Sequence, residues 1–120
     1  MKTYGWRFSL GCLLLLILAN ISGGYSECTD WCVARSEASD AVIQKSLDWV
    51  CNYGPIACTR IQPGQPCYRP NDLRGVASAA FNDYWQLVKH SPGALCDIFG
   101  AASLVHQDPS HDNCPFSCKP

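Results

Sequence analysis

The chain has 120 residues, 48% of them hydrophobic and 16% charged, with nine cysteines and a formal charge of −1. That length holds one short domain and excludes a two-domain enzyme. The charge balance lacks the basic surplus of a nucleic-acid binder.

Lys2 and Arg7 precede an apolar run over residues 8–19, and small residues follow, with Gly24 and Ser26 at positions −3 and −1 of a cut before Glu27. This is the layout of a secretory signal peptide over residues 1–26. The run is shorter than the roughly 20 apolar residues of a membrane span. Cleavage leaves one domain, residues 27–120, with seven basic against ten acidic side chains. It keeps eight cysteines: Cys28, Cys32, Cys51, Cys58, Cys67, Cys96, Cys114 and Cys118. An even count in a secreted chain predicts a disulfide framework, which a domain this small needs to supplement its core. Spacing alone leaves the pairing open. Zinc would favour paired Cys-x-x-Cys knuckles in a reducing compartment, and neither is present. The sequon Asn20-Ile21-Ser22 falls inside the leader. No second apolar run closes the chain, so no membrane anchor is expected.

Along the mature chain, Ser39 or Asp40 caps a helix running to about Asn52, with Ile43, Leu47, Val50 and Cys51 on one buried stripe. Gly54-Pro55 ends it. Between Pro55 and Pro70, short strands around Thr59-Arg60-Ile61 and Pro66-Cys67-Tyr68 are expected to pair as a small hairpin across residues 62–65. Asn71 or Asp72 then caps a second helix with Ala77, Ala80, Phe81, Tyr84 and Val88 as its apolar stripe. It should end near Ser91-Pro92-Gly93. The tail from Ala94 shows little periodicity and is expected to wrap the helices as loop. The fold class is thus small, disulfide-rich α+β and mainly helical.

Catalytic chemistry finds little support. Glycoside hydrolysis needs two carboxyl groups facing across a cleft. The mature chain carries Glu37, the terminal Glu27 and eight scattered aspartates that suit solvated helix faces and turns. His106, Asp108, His111 and Asp112 form a small cluster of metal-ligand types, but a polar loop accounts for them equally and no metal is assigned. No cofactor is indicated. The aromatic residues say more, because Trp31, Trp49, Trp85, Tyr53, Tyr68, Tyr84, Phe81, Phe99 and Phe116 cannot all be buried in so small a domain. Trp85 lies about 100° around the second helix from Tyr84. An outward ring there suits the apolar face of a pyranose, with the Asn82 and Gln86 amides placed to bond sugar hydroxyls.

Several stretches resemble one known family: Trp31-Cys32-Val33-Ala34, Leu47-Asp48-Trp49-Val50-Cys51, Ile61-Gln62-Pro63-Gly64-Gln65-Pro66-Cys67, Pro70-Asn71, Ala77-Ser78-Ala79-Ala80-Phe81-Asn82-Asp83-Tyr84-Trp85-Gln86, Cys96-Asp97-Ile98-Phe99-Gly100-Ala101-Ala102, and Asp108-Pro109-Ser110 before Cys114. Together they resemble the plant X8 domain, or carbohydrate-binding module family 43, over nearly the whole mature chain. The resemblance implies two packed helices, a short antiparallel sheet and the bridges Cys32–Cys96, Cys51–Cys58 and Cys67–Cys114. Cys28 and Cys118 are left over, one outside each end of that frame, and are expected to form a fourth bridge.

The resemblance further implies a non-catalytic monomer binding β-1,3-glucan, the polymer of callose, in the plant cell wall and near plasmodesmata. The expected site is the ring face of Tyr84 and Trp85 with Asn82, Gln86, Tyr68 and Asn71. Two departures bear on it. Val76 and Ala79 stand where the family commonly has histidine and tyrosine, and Trp85 replaces a second tyrosine. The alternative is a protein-interaction or signalling module whose sugar site has degenerated.

Overall fold

A computed structural model describes residues 27–120; the expected signal peptide, residues 1–26, lies outside the described residues. The chain runs through strand β1 (Trp31–Ala34), helix α1 (Asp40–Tyr53), a 3₁₀ helix (Pro55–Ile61), helix α2 (Leu73–Val88) and strand β2 (Ala102–Val105).

Both helices begin where side-chain caps allow. The Ser39 hydroxyl accepts from the Val42 amide, and the Asp72 carboxylate accepts from the Gly75 amide. Each satisfies an amide that the first helical turn leaves without a partner. Ile43, Leu47 and Val50 of α1 are buried as their spacing predicts, against Ala77, Ala80 and Phe81 of α2. α2 is buried over a wider arc than one stripe, because α1, the 3₁₀ helix and β1 all pack on it. A second, smaller cluster on its far side joins Ala79 to Trp31, Phe116 and the Cys67–Cys114 bridge.

The expected hairpin is not formed. Residues 55–61 wind into the 3₁₀ helix, and residues 62–70 follow as turns. The Cys51–Cys58 bridge draws the chain back onto the end of α1 within seven residues, which favours a tight helical turn over an extended strand. Pro63 and Pro66 remove ladder donors on the other arm. What survives is one bond, from the Cys67 amide to the Arg60 carbonyl at 2.9 Å.

The sheet instead pairs the two ends of the domain. β1 and β2 run antiparallel in the register Trp31↔Val105, Cys32↔Leu104, Val33↔Ser103 and Ala34↔Ala102. The tail from Ala94, expected as loop, therefore contributes a strand, and a further isolated bridge joins His111 to Cys114. Four disulfides are present. Cys32–Cys96, Cys51–Cys58 and Cys67–Cys114 follow the implied frame, and Cys28–Cys118 clasps the two ends with 5.5 Å between Cα atoms.

The tail turn around residues 108–112 is held by carboxylates. Asp108 accepts from the Ser110 hydroxyl and amide, and these bonds hold its carboxyl below the usual 3.8. The hydrogen bond and charge of Arg69, 2.6 Å away, do the same for Asp112. A carboxyl depressed in the folded state stabilises fully above its unfolded value, and the contribution is lost as pH falls through the lower folded value. Amide signals of residues 108–112 should therefore hold their positions through the usual carboxylate range and shift only below about pH 4. A pH titration followed by NMR checks this, and movement of these signals within that range, above about pH 4, would contradict it.

Candidate functional site

The six expected site residues do not converge on one surface. Asn82 and Gln86 lie inside, at 0% and 3% exposure. The Asn82 side-chain oxygen accepts from the Cys32 amide of β1 at 3.1 Å, and its NH₂ donates to the Ser117 carbonyl at 2.8 Å. Gln86 donates to the Asp30 carbonyl at 2.9 Å and to Asn82 at 3.2 Å, and accepts from the Lys119 amide at 2.8 Å. The two amides thus stitch both ends of the domain to α2, and they face backbone rather than solvent. Their polarity reads as surface, but the N- and C-terminal segments cross over this helix face and cover it.

Asn82→Ala would strand the Cys32 amide and the Ser117 carbonyl in the interior. The expected cost is about 3 kcal/mol, lowering Tm by about 12 °C or more. Thermal unfolding followed by circular dichroism measures this. A shift under a few degrees would mean that the amide is not structural.

Trp85 leans on the main core, and its indole N–H donates to the Asp30 carboxylate at 2.9 Å. The other carboxylate oxygen takes the Lys89 ammonium at 3.3 Å. Tyr68 and Asn71 sit in the turns before α2. Tyr68 lines a separate groove of about 310 Å³ with Leu47, Ile61, Leu73 and Val76. Tyr84 lies eleven residues beyond Leu73, about 16 Å along the helix. Val76 therefore belongs to the Tyr68 groove, whereas Ala79 is fully buried in the second cluster. A tyrosine at 79 would have to displace the Trp31–Phe116 packing.

Tyr84 has different neighbours. Its ring meets Trp49 of α1 edge-on, with 5.7 Å between centroids, and Trp49 in turn lies 4.7 Å from Tyr53 at a 31° tilt. The last turn of α1 is shaped to fit, because a Cβ on Gly54 would come 2.8 Å from the Tyr84 ring. Tyr53 is 67% exposed, whereas Trp49 and Tyr84 are half-buried against the main core, so the trio reaches solvent chiefly through Tyr53. Beside it runs a groove of about 380 Å³ lined by Trp49, Tyr84 and Val88 on one side and by residues 91–95 and Ile98 on the other. Ser91 supplies a hydroxyl at its rim, and no carboxylate lines it.

Trp49 and Tyr53 stand outside the expected set, yet a signal for them exists. They are four residues apart, one helical turn, and fall well off the stripe of Ile43, Leu47 and Val50. Two rings off the buried stripe of an amphipathic helix form a candidate contact face, whereas the Asn82 and Gln86 amides are buried.

The carboxylates are dispersed. Arg35 pairs with Asp97 at 2.8 Å, and Arg60 grips Asp83 through both carboxylate oxygens at 2.8 and 3.2 Å. The four members of the His106 cluster go to separate partners. His106 Nδ1 is 2.8 Å from the Thr29 carbonyl and His111 Nδ1 is 3.0 Å from the Pro109 carbonyl. Asp108 bonds Ser110 and Asp112 bonds Arg69. Among the described residues, no helix is long and apolar enough to cross a membrane.

Known proteins bear on this arrangement. The family model of the X8 domain matches residues 30–103. Glucan endo-1,3-beta-glucosidase 4 of Arabidopsis thaliana is 43% identical over 103 residues, covering 82% of this chain and 20% of the relative. Plasmodesmata callose-binding protein 1 of the same plant is 35% identical over 104 residues, covering 87% of this chain and 50% of the relative. Plasmodesmata callose-binding protein 5 is 33% identical, with 87% and 57% covered. The chain therefore spans about a fifth of that glucosidase and about half of the callose-binding relatives. No solved structure matches. With its four bridges, its capped helices and a match across most of the described residues, the chain belongs to the X8 domain family.

Proposed function

We propose that this protein is a secreted, non-catalytic module that holds β-1,3-glucan, the callose polymer, in the plant cell wall and near plasmodesmata. The observation that carries the reading is the ring trio Trp49–Tyr53–Tyr84, exposed at Tyr53 and half-buried at the other two, with Trp49 and Tyr84 lining an open groove. Aromatic faces bind the C–H faces of pyranose rings while rim hydroxyls and carbonyls bond sugar oxygens. Relatives named for callose binding share most of this chain, and the glucosidases share with it only a small part of their length. Hydrolysis would need an acid and a base across the bound sugar, and the groove lining has neither.

Tyr84 is kept from the original set as a contact residue, with Trp49 and Tyr53 joining it. Trp85 acts at one remove, by holding Asp30 and the clasped ends. The protein works as a monomer, because the rings need no second copy to form the face.

The second reading, a protein-interaction module with a degenerate sugar site, draws on Val76 in the Tyr68 groove and on buried Ala79. Co-sedimentation with insoluble β-1,3-glucan, with cellulose as control, separates the two readings. Retention on the former alone, with no release of reducing sugar from soluble β-1,3-glucan, is expected. Equal recovery with both polymers would favour the second reading, and sustained sugar release would overturn both.

A further inference from the structure

Phe99 departs from what a loop phenylalanine ordinarily does. Its backbone lies at φ 59°, in the left-handed region where Cβ crowds the chain and where bulky residues are rare. Its ring is nonetheless 49% exposed, so burial does not offset that strain. The loop around it is pinned from several directions. The Ser46 hydroxyl donates to the Ile98 carbonyl, and Asp97 accepts from the Ala102 amide at 3.1 Å and from Arg35 at 2.8 Å. Gly100, also left-handed at φ 82°, follows at once. Strain kept in place by so many restraints, with an apolar ring left facing water, marks a position held for contact.

The direction of that ring is informative. The Lys45 ammonium sits over one face, 4.3 Å from its centroid, and about half of the residue remains in solvent. Lys45, Trp49 and Tyr53 follow at intervals of four on α1, so Phe99 is placed at the head of the same outward stripe. Ile98, its chain neighbour, already lines the groove with Trp49 and Tyr84. From Lys45 to Tyr53 the stripe extends about 12 Å along the helix.

We infer that Phe99 is a specificity-determining residue whose strained backbone presents a further stacking ring, extending the Trp49–Tyr53–Tyr84 face so that it favours long internal stretches of β-1,3-glucan over short oligosaccharides. The inference rests on the glucan-binding reading above. Lys45 fixes the tilt of the ring and offers its ammonium to a sugar hydroxyl at the edge. A ligand that covers Trp49 and Tyr84 and continues along the stripe meets Phe99 as well, so a longer ligand gains more from this ring than a short one.

The test is calorimetric titration of the full chain, purified from a secreting host, with a β-1,3-linked glucose trisaccharide and hexasaccharide. Glycine at 99 relieves the left-handed strain and removes the ring together. Phe99→Gly should therefore keep Tm within about 2 °C of the parent or raise it. It should weaken hexasaccharide binding about 3- to 10-fold, as expected for one stacked ring, and weaken trisaccharide binding less. Phe99→Trp, which restores a ring, should recover the hexasaccharide preference. A Phe99→Gly protein with full hexasaccharide affinity would overturn the inference, as would a loss that Phe99→Trp does not repair. Trp49→Ala is the control for the underlying reading. If Trp49→Ala weakens binding while Phe99→Gly keeps full hexasaccharide affinity, only the role of Phe99 fails; if the parent binds neither sugar, the glucan reading fails with it.

Discussion

Trp49→Ala is expected to lower affinity for β-1,3-glucan about thirtyfold while leaving the protein folded. Trp49 is the centre of the ring trio, 4.7 Å from Tyr53 and 5.7 Å from Tyr84, and it also walls the groove. A central tryptophan at a contact surface typically carries about 2 kcal/mol of binding, which is roughly a factor of thirty. The fold should survive because Trp49 only leans on the core, whose buried members are Ile43, Leu47, Val50 and Phe81. Tyr53→Ala is the companion variant, since a ring 67% exposed has little packing to lose. It should leave Tm nearly unchanged and weaken binding less than Trp49→Ala does. Sedimentation with insoluble β-1,3-glucan, alongside circular dichroism, measures both. Undiminished retention of a folded Trp49→Ala protein would move the contact face elsewhere.

A large stability loss is expected from the paired substitution Cys32→Ala and Cys96→Ala. This bridge spans 64 residues and ties β1 to the start of the loop that carries Ile98 and Phe99. Chain-entropy arguments give about 4 kcal/mol for a loop of that length, against about 2 kcal/mol for Cys51–Cys58, whose partners are seven residues apart. Cys32 is moreover fully buried in the main core, so truncation leaves a cavity as well. In a domain this size, the loss should lower Tm by roughly 20 °C. Opening the Cys51–Cys58 bridge in the same way should cost about half as much. Because the freed loop forms one wall of the groove, glucan retention should fall along with stability. Equal melting temperatures for the two paired variants would show that loop length does not govern these bridges.

Much of this architecture is readable from residue order. Ser39 and Asp72 cap their helices, and the stripes of Ile43, Leu47 and Val50 and of Ala77, Ala80 and Phe81 face each other as their period demands. The sheet is not readable in the same way. Trp31–Ala34 and Ala102–Val105 are four residues each, too short for alternation to stand out, and their pairing joins segments some 70 residues apart. The region around Cys67 misleads for a related reason. β-branched and aromatic residues there suggest strands, but Pro63, Pro66 and the short Cys51–Cys58 loop impose turns.

The proposed contact face follows the same pattern. Rings can be listed from the sequence, but their exposure depends on what crosses over α2. Asn82 and Gln86 are amides on a helix, which ordinarily means solvent; here the chain ends cover them, and they bond Cys32, Asp30, Ser117 and Lys119 instead. Tyr84, nearby on α2, is left to Trp49 and Tyr53. Only the tertiary path of both termini separates these outcomes, and no local period encodes that path.

The most direct measurement is residue-resolved NMR of isotope-labelled protein titrated with a β-1,3-linked glucose hexasaccharide. The account predicts that shifts concentrate on the Trp49 indole, the Tyr53 and Tyr84 rings and residues 91–99, while the buried Asn82 and Gln86 amides and the Tyr68 groove stay unchanged. Shifts confined to Tyr68, Val76 and Leu73, or none at saturating sugar, would contradict it.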